Sequence, residues 1–191
     1  AGGPHYLHAL QKRAAPSGSG ALDVSASAPM PLFDQQLRRA AEAFERWNEG
    51  SSRREALVRA AAASRDETAD LFRLAVSLYA EHFEKVSELP GPTGESNTLR
   101  LKGRGVVLCL GGGSGAANRR QLALALAGGN AVAALEPLAE KAARALVAAG
   151  APDHLMVSLP AGGAVNEAAL LDPRVRAVAF AGAAASAKAI S

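Results

Sequence analysis

The sequence has little cysteine, few aromatic residues and no long apolar run. Its 191 residues contain one cysteine, Cys109, which excludes an intrachain disulfide framework and fits a reducing compartment such as the cytoplasm. Aromatic residues make up 4% of the chain and hydrophobic residues 49%, so we expect a core built largely from alanine. No apolar stretch approaches the ~18 residues of a membrane span. We therefore predict a globular protein without a membrane-spanning segment.

The charged residues are mixed in sign and spread along the chain. The net charge is +3, and the Arg53–Arg54 pair lies close to Glu49 and Glu55. This pattern is typical of a solvated helix face and predicts no nucleic-acid contact. His82 has no second histidine, cysteine or carboxylate at metal-ligand spacing, so we expect a packing or surface residue and no metal site.

Composition divides the chain into four segments. Residues 16–31 are rich in Pro, Gly, Ser and Ala, and they predict a flexible linker between residues 1–15, the tail of a preceding domain, and the rest of the chain. Residues 32–89 predict a small helical subdomain, and residues 90–191 predict an α/β domain. The chain begins without methionine and stops in mid-pattern, so we expect it to be an excerpt of a longer polypeptide.

Three helices are expected in the helical subdomain. Asp34 is predicted to cap the first, which carries Trp47 as a core residue, and the second begins after Ser52. Asp66 is predicted to cap the third, whose apolar stripe continues to Val86.

The pattern changes after residue 90. Residues 97–102 alternate apolar and polar, which predicts a half-exposed antiparallel strand at a sheet edge. Four continuous apolar strands come next, separated by alanine-rich helices, and continuous apolar strands are expected to be buried on both faces. This alternation predicts a doubly wound, mostly parallel Rossmann-like sheet. The predicted strands are 106–110, 131–135, 155–159 and 175–180, and the predicted helices are 116–127, 138–149, 164–171 and one from Ala183.

The turn after the first of these strands could bind a dinucleotide. Gly111, Gly113 and Ala116 satisfy the G-x-G-x-x-A pattern, and Glu136 ends the next strand where it could accept hydrogen bonds from a ribose. A plain tight turn explains the same glycines, and both interpretations stay open. No catalytic residue is predicted, because Cys109 lies inside an apolar strand and Ser114 lacks the nucleophile-elbow spacing.

Several short motifs in order resemble the cofactor-binding part of the aldehyde dehydrogenase superfamily. They include GRGVV, ALAGGNAVAAL, ARALVAAGAPDHLMVSLP and LLDPRVRAVAFAGAAA, spread over residues 104–191. The upstream pieces AGGPHYL and ELPGPTGESNTLRLKGRGVVLCL resemble the proline utilization A family, from the end of its aldehyde dehydrogenase domain into a degenerate C-terminal relative of that domain.

The resemblance also implies that cofactor ligands are lost. Active members carry Pro-Trp-Asn where this chain has Gly111 to Ser114, and they carry a lysine where it has Leu135 and Glu136 before Pro137. Their Phe-Thr-Gly-Ser turn corresponds to residues 180–183, Phe-Ala-Gly-Ala, which lack both hydroxyls.

The resemblance implies a non-catalytic domain without its own cofactor, in a parent that uses FAD and NAD to oxidise proline to glutamate. Its implied partners are the catalytic domains of the same polypeptide, with a homo-oligomer also allowed. One alternative is the NAD-binding half of an active aldehyde dehydrogenase-like oxidoreductase, with Gly111, Gly113 and Glu136 as ligands. Another is a free-standing interaction domain.

Overall fold

The computed structural model describes residues 30–49, 52–111, 114–134, 137–159 and 169–181. The expected domain tail, nearly all of the expected linker and the last expected helix lie outside these residues. The described elements, in chain order, are α1 (Met30–Glu49), α2 (Arg53–Ala63), α3 (Asp66–Leu78), β1 (Ser87–Leu89), β2 (Asn97–Leu99), β3 (Val106–Leu110), α4 (Gly115–Ala127), β4 (Ala131–Ala134), α5 (Pro137–Ala148), β5 (Met156–Ser158) and β6 (Val175–Phe180).

The first helix begins earlier than its sequence suggested. Because α1 starts at Met30, Asp34 lies inside the helix, and its predicted role as the cap is wrong. Phe33 is 4% exposed, so packing of this residue favours a helix that already includes the turn before Asp34.

The third helix is shorter than its apolar stripe suggested. The cap position belongs to Arg65, with Asp66 as the first helical residue, and a π-helical turn at Tyr79–Phe83 continues from the helix. Val86 lies beyond both and is exposed, so its place in the stripe was wrong. His82 is a surface residue, as expected, and its ring meets Phe83 edge to face.

Residues 87–99 form an exposed hairpin. The strands β1 and β2 pair antiparallel with each other, so the predicted direction of pairing is confirmed. The prediction that one face of the strand is buried is wrong, because every residue of β2 is exposed, Leu99 included, and the hairpin forms a sheet separate from the main one. The strand also ends at Leu99, whereas alternation had predicted it to residue 102.

The main sheet has four parallel strands in the order β5-β4-β3-β6. The strands β3 and β4 are buried throughout, which is the burial that their continuous apolar sequences predicted. Helix α4 connects β3 to β4, and α5 connects β4 to β5. The predicted α/β class with a parallel Rossmann-like sheet is confirmed.

The last strand departs from this pattern. The sequence of β6 is apolar apart from Arg176, yet its residues are at most partly buried, and Val178 is 40% exposed. Among the described strands β6 pairs only with β3, so none of them covers its outer edge. The expected burial on both faces is therefore wrong for β6.

One hydrophobic cluster connects the helices to the sheet. Helix α1 packs on β3, β4 and β5, where alanines on both sides, such as Ala40 and Ala133, are fully buried. Trp47 is 3% exposed, which confirms it as a core residue. Arg53 is partly buried over the Trp47 ring, so the solvated face predicted for it is wrong.

Candidate functional site

The strand order creates a crevice at the carboxyl end of the sheet. From β3 the chain proceeds to β4 and β5 on one side, and β6 returns to the other side of β3. Leu110 and Phe180 are partners in the register, so β3 and β6 end at the same level. In open α/β sheets ligands bind at this kind of switch point.

Helix α4 begins at this crevice. The Ser114 hydroxyl accepts a hydrogen bond from the Ala117 amide at 3.3 Å and caps the helix, so that side chain is engaged in the local structure. Gly115 and Ala116 are exposed, and a Cβ added to Gly115 would meet nothing nearer than 3.8 Å. The free N–H groups of this first turn could therefore approach an anion such as a pyrophosphate.

The structure describes only part of the predicted dinucleotide site. Gly111 directly follows β3 and is partly buried. Gly113 and Glu136 lie outside the described residues, so their role as ligands stays a prediction. On the opposite side of the crevice, Ala181 follows β6 and supplies no side-chain hydrogen-bond donor.

Arg119 lies beside the described part of the crevice: its guanidinium would be 3.8 Å from a Cβ added to Gly115, and it pairs with Glu67. The cysteine of the chain, Cys109, is 1% exposed within β3, and burial raises the pKa of its thiol to about 12. A thiol that stays protonated at neutral pH is neither a nucleophile nor a metal ligand. The described residues can thus offer backbone N–H groups and the Arg119 guanidinium to an anion, and Cys109 supplies no nucleophile.

A histidine with two charged neighbours, His154, lies away from the crevice, just before β5. His154 Nδ1 is 3.0 Å from Asp153 Oδ2, and Arg39 Nη1 donates to His154 Nε2 at 3.0 Å. Because a guanidinium only donates, Nε2 must be the acceptor and Nδ1 carries the proton towards Asp153. Nε2, the nitrogen with which a catalytic histidine would accept a proton from a nucleophile, is therefore already bonded to Arg39.

The described residues provide neither a metal site nor a membrane span. The part of the chain that the structure describes contains no group of three or more potential metal ligands. Within the same residues, none of the helices combines the length and apolar character needed to cross a bilayer.

Three arginines meet at the opposite end of the sheet, where sequence reasoning had assigned no function. Arg104, Arg174 and Arg176 line one cavity of about 330 Å³ next to β3 and α1. Arg104 belongs to the turn before β3, and the other two belong to the start of β6. They are brought together only by the pairing of β3 with β6, so no local spacing could have revealed them.

No protein-family model matches this sequence, and no curated protein matches it significantly. Solved structures do match. A variant of Bradyrhizobium japonicum proline utilization A is 26% identical, with a TM-score of 0.70 over 86% of this chain and 20% of that protein. A proline utilization A structure with proline bound in remote sites is 25% identical, with a TM-score of 0.71 and the same coverage.

Aldehyde dehydrogenases share the fold. The salicylaldehyde dehydrogenase of Pseudomonas putida G7 is 20% identical, with a TM-score of 0.69 over 86% of this chain and 42% of that enzyme. The resemblance to proline utilization A and to the aldehyde dehydrogenase superfamily is thus confirmed at the level of structure. The chain spans about a fifth of the length of the proline utilization A proteins that it matches.

Proposed function

We propose that this chain is the C-terminal, non-catalytic region of a proline utilization A protein. In this proposal it packs on the catalytic modules of the same cytoplasmic polypeptide, helps to close their internal channel and supports a homo-oligomer. The observation that carries the proposal is the structural match to one fifth of proline utilization A. It is supported by the sequence after β3, β4 and β6, which lacks the cofactor ligands of the family. The parent's oxidation of proline with FAD, and of glutamate semialdehyde with NAD, belongs to the proposal as well.

Loss of NAD binding is the testable core of the proposal. An active relative has an amide side chain after β3, a lysine after β4 and hydroxyls after β6, whereas this sequence has Gly111–Ser114, Glu136 and Ala181 at those places. Each missing hydrogen bond weakens binding by about 1 kcal/mol, and a missing charged donor by more. Together these losses remove several orders of magnitude in affinity.

The decisive measurement is isothermal titration of the full chain with NAD. We expect no heat of binding up to ~1 mM NAD, because the sequence lacks the side-chain ligands of the active family members. An active aldehyde dehydrogenase serves as positive control, and far-UV circular dichroism confirms that the chain is folded. Micromolar binding would refute the non-catalytic assignment.

The second candidate is the NAD-binding half of an active aldehyde dehydrogenase-like oxidoreductase. It is favoured by the exposed start of α4 at the switch point, which suits a pyrophosphate. In this case NAD binds, and Glu136→Ala weakens binding by about tenfold through loss of the ribose contact. An NAD affinity that is unchanged in the variant would show that Glu136 is not a ligand of NAD.

A further inference from the structure

The cavity at the amino end of the sheet has an excess of positive charge. It lies between α1, the turn before β3 and the start of β6, and Phe44 and Val106 contribute buried apolar side chains to its lining. Three guanidinium groups line it, against a single carboxylate, that of Glu45.

Two of the three arginines have no counter-ion among the residues that the structure describes. Arg174 is engaged by Asp34 and Asp172. The side chains of Arg104 and Arg176 make no hydrogen bond or ion pair with any residue that the structure describes, and Glu45 makes no ion pair with them there. Both side chains are exposed to solvent beside one cavity, so their guanidinium groups are accessible to an anion.

The backbone next to both arginines is closely packed. Gly105 has φ +139°, and a Cβ on it would come within 2.6 Å of the Arg176 side chain, so Arg176 rests directly on this glycine. On the other side of Arg104, a Cβ on Gly103 would come within 2.9 Å of the Phe44 ring. The Arg104 amide is anchored by Asn130 Oδ1 at 2.7 Å. The two glycines therefore allow the close packing of the turn that carries Arg104. Gly105 also leaves the space that the Arg176 side chain occupies.

We propose that this cavity is a binding site for a small oxyanion, a phosphate or a multivalent carboxylate, held by Arg104 and Arg176. Guanidinium groups bind such anions through paired, charge-assisted hydrogen bonds. The cavity volume of about 330 Å³ admits a small organic anion as well as phosphate. The site lies at the opposite end of the sheet from the predicted dinucleotide crevice, and it does not depend on the proposed function.

The test is calorimetric titration of the full chain with inorganic phosphate and, separately, with citrate. Sodium chloride keeps the ionic strength constant, so that general screening is the same in every sample. We expect millimolar or tighter binding of at least one anion, and the stronger of the two shows whether the site prefers phosphate or carboxylate. The combined change Arg104→Gln and Arg176→Gln should weaken binding by about tenfold or more.

Two further variants separate the site from general charge effects. Arg100→Gln removes an exposed arginine that does not line the cavity, and it should leave affinity within about twofold of wild type. Glu45→Gln removes the carboxylate that repels an anion, and it should strengthen binding by about two- to fivefold. Absence of binding to the wild-type chain, or equal binding by the double glutamine variant, would overturn the proposal.

Discussion

At the scale of single residues, Arg174 makes the most connections. Its guanidinium contacts Asp172 Oδ2 at 2.6 Å and Asp34 Oδ1 at 2.9 Å, and Nη1 donates to the Asp34 carbonyl at 3.1 Å. Asp172 precedes β6, and Asp34 lies in α1, so one side chain connects the two ends of the described chain. Hydrogen bonds from Arg174 lower the pKa of both carboxyl groups below their usual value.

This lowering gives Arg174 a pH-dependent contribution to stability. A carboxyl group with a lowered pKa in the folded state stabilises the fold above its unfolded pKa of 3.8, and the contribution is lost as pH falls through the lower folded value. We expect Arg174→Gln to reduce the free energy of unfolding by about 1 kcal/mol at pH 7, because the cluster is partly exposed. The difference from wild type should shrink below about pH 4.

Thermal unfolding of both proteins between pH 7 and pH 2.5 measures this difference. Arg73→Gln is the matched control, because Arg73 pairs with Asp70 on an open helix surface. It should change stability by less than about 0.5 kcal/mol at any pH. A difference between wild type and Arg174→Gln that is independent of pH would contradict the electrostatic explanation.

At the scale of elements, α2 supports the ends of two other helices. Helices α4 and α5 each end in a Schellman motif, with Gly129 and Gly150 at positive φ. From α2, Arg59 donates to the Ala149 carbonyl at 2.9 Å, and Arg53 lies against Gly129. Cations at helix carboxyl ends are stabilised by the helix dipole, so α2 contributes to stability through these two arginines.

Gly129 tests this arrangement. A Cβ there would lie 2.5 Å from the Arg53 guanidinium, in a backbone conformation (φ +82°) that already disfavours alanine. We expect Gly129→Ala to lower the free energy of unfolding by about 2 kcal/mol, from strain and from displacement of Arg53. Urea denaturation gives the value.

Gly94 provides the control for Gly129. Its φ is +95°, but an added Cβ would meet nothing within 4 Å, so Gly94→Ala adds backbone strain alone. Its cost should be about 1 kcal/mol or less. Equal losses in the two variants would show that contact with Arg53 contributes nothing.

The same elements show what the sequence could predict. Val106–Leu110 is identifiable because a strand buried on both faces is continuously apolar. The burial of β6 was not predictable, because it depends on which strands flank it and not on its own residues. Arg53 looked like a solvated residue because its contact with Gly129 comes from tertiary packing. The role of the glycine turn as a dinucleotide site stays a prediction, and the arginine cavity had no local signature in the sequence.

At the scale of the whole molecule, β6 is the last of the described strands on one side of the main sheet. The outer edge of β6 has no partner among the described strands, and Val178 projects 40% of its surface into solvent. An apolar edge of this kind pairs readily with other chains.

We therefore expect the 191-residue chain to self-associate, and Val178→Lys to reduce association by placing a charge on β6. Sedimentation velocity over a range of concentrations measures this directly. Leu171→Lys is the control, because Leu171 is 78% exposed but lies outside the strand. A wild-type chain that stays monomeric at every concentration would contradict the expectation.

The packing of α1 on the sheet also has a consequence for the order of folding. The buried face of α1 is covered by β4 and β5, which come much later in the chain. An isolated helix of this length is marginally stable in water. Helix α1 therefore gains its full tertiary stabilisation only after Met156–Ser158 has been synthesised and paired, although it is the first described element to leave the ribosome. Until then the apolar face of α1 lacks part of its native contacts, and the side chains concerned include Phe33, Leu37 and Trp47. We expect the chain to be most prone to misfolding during this interval.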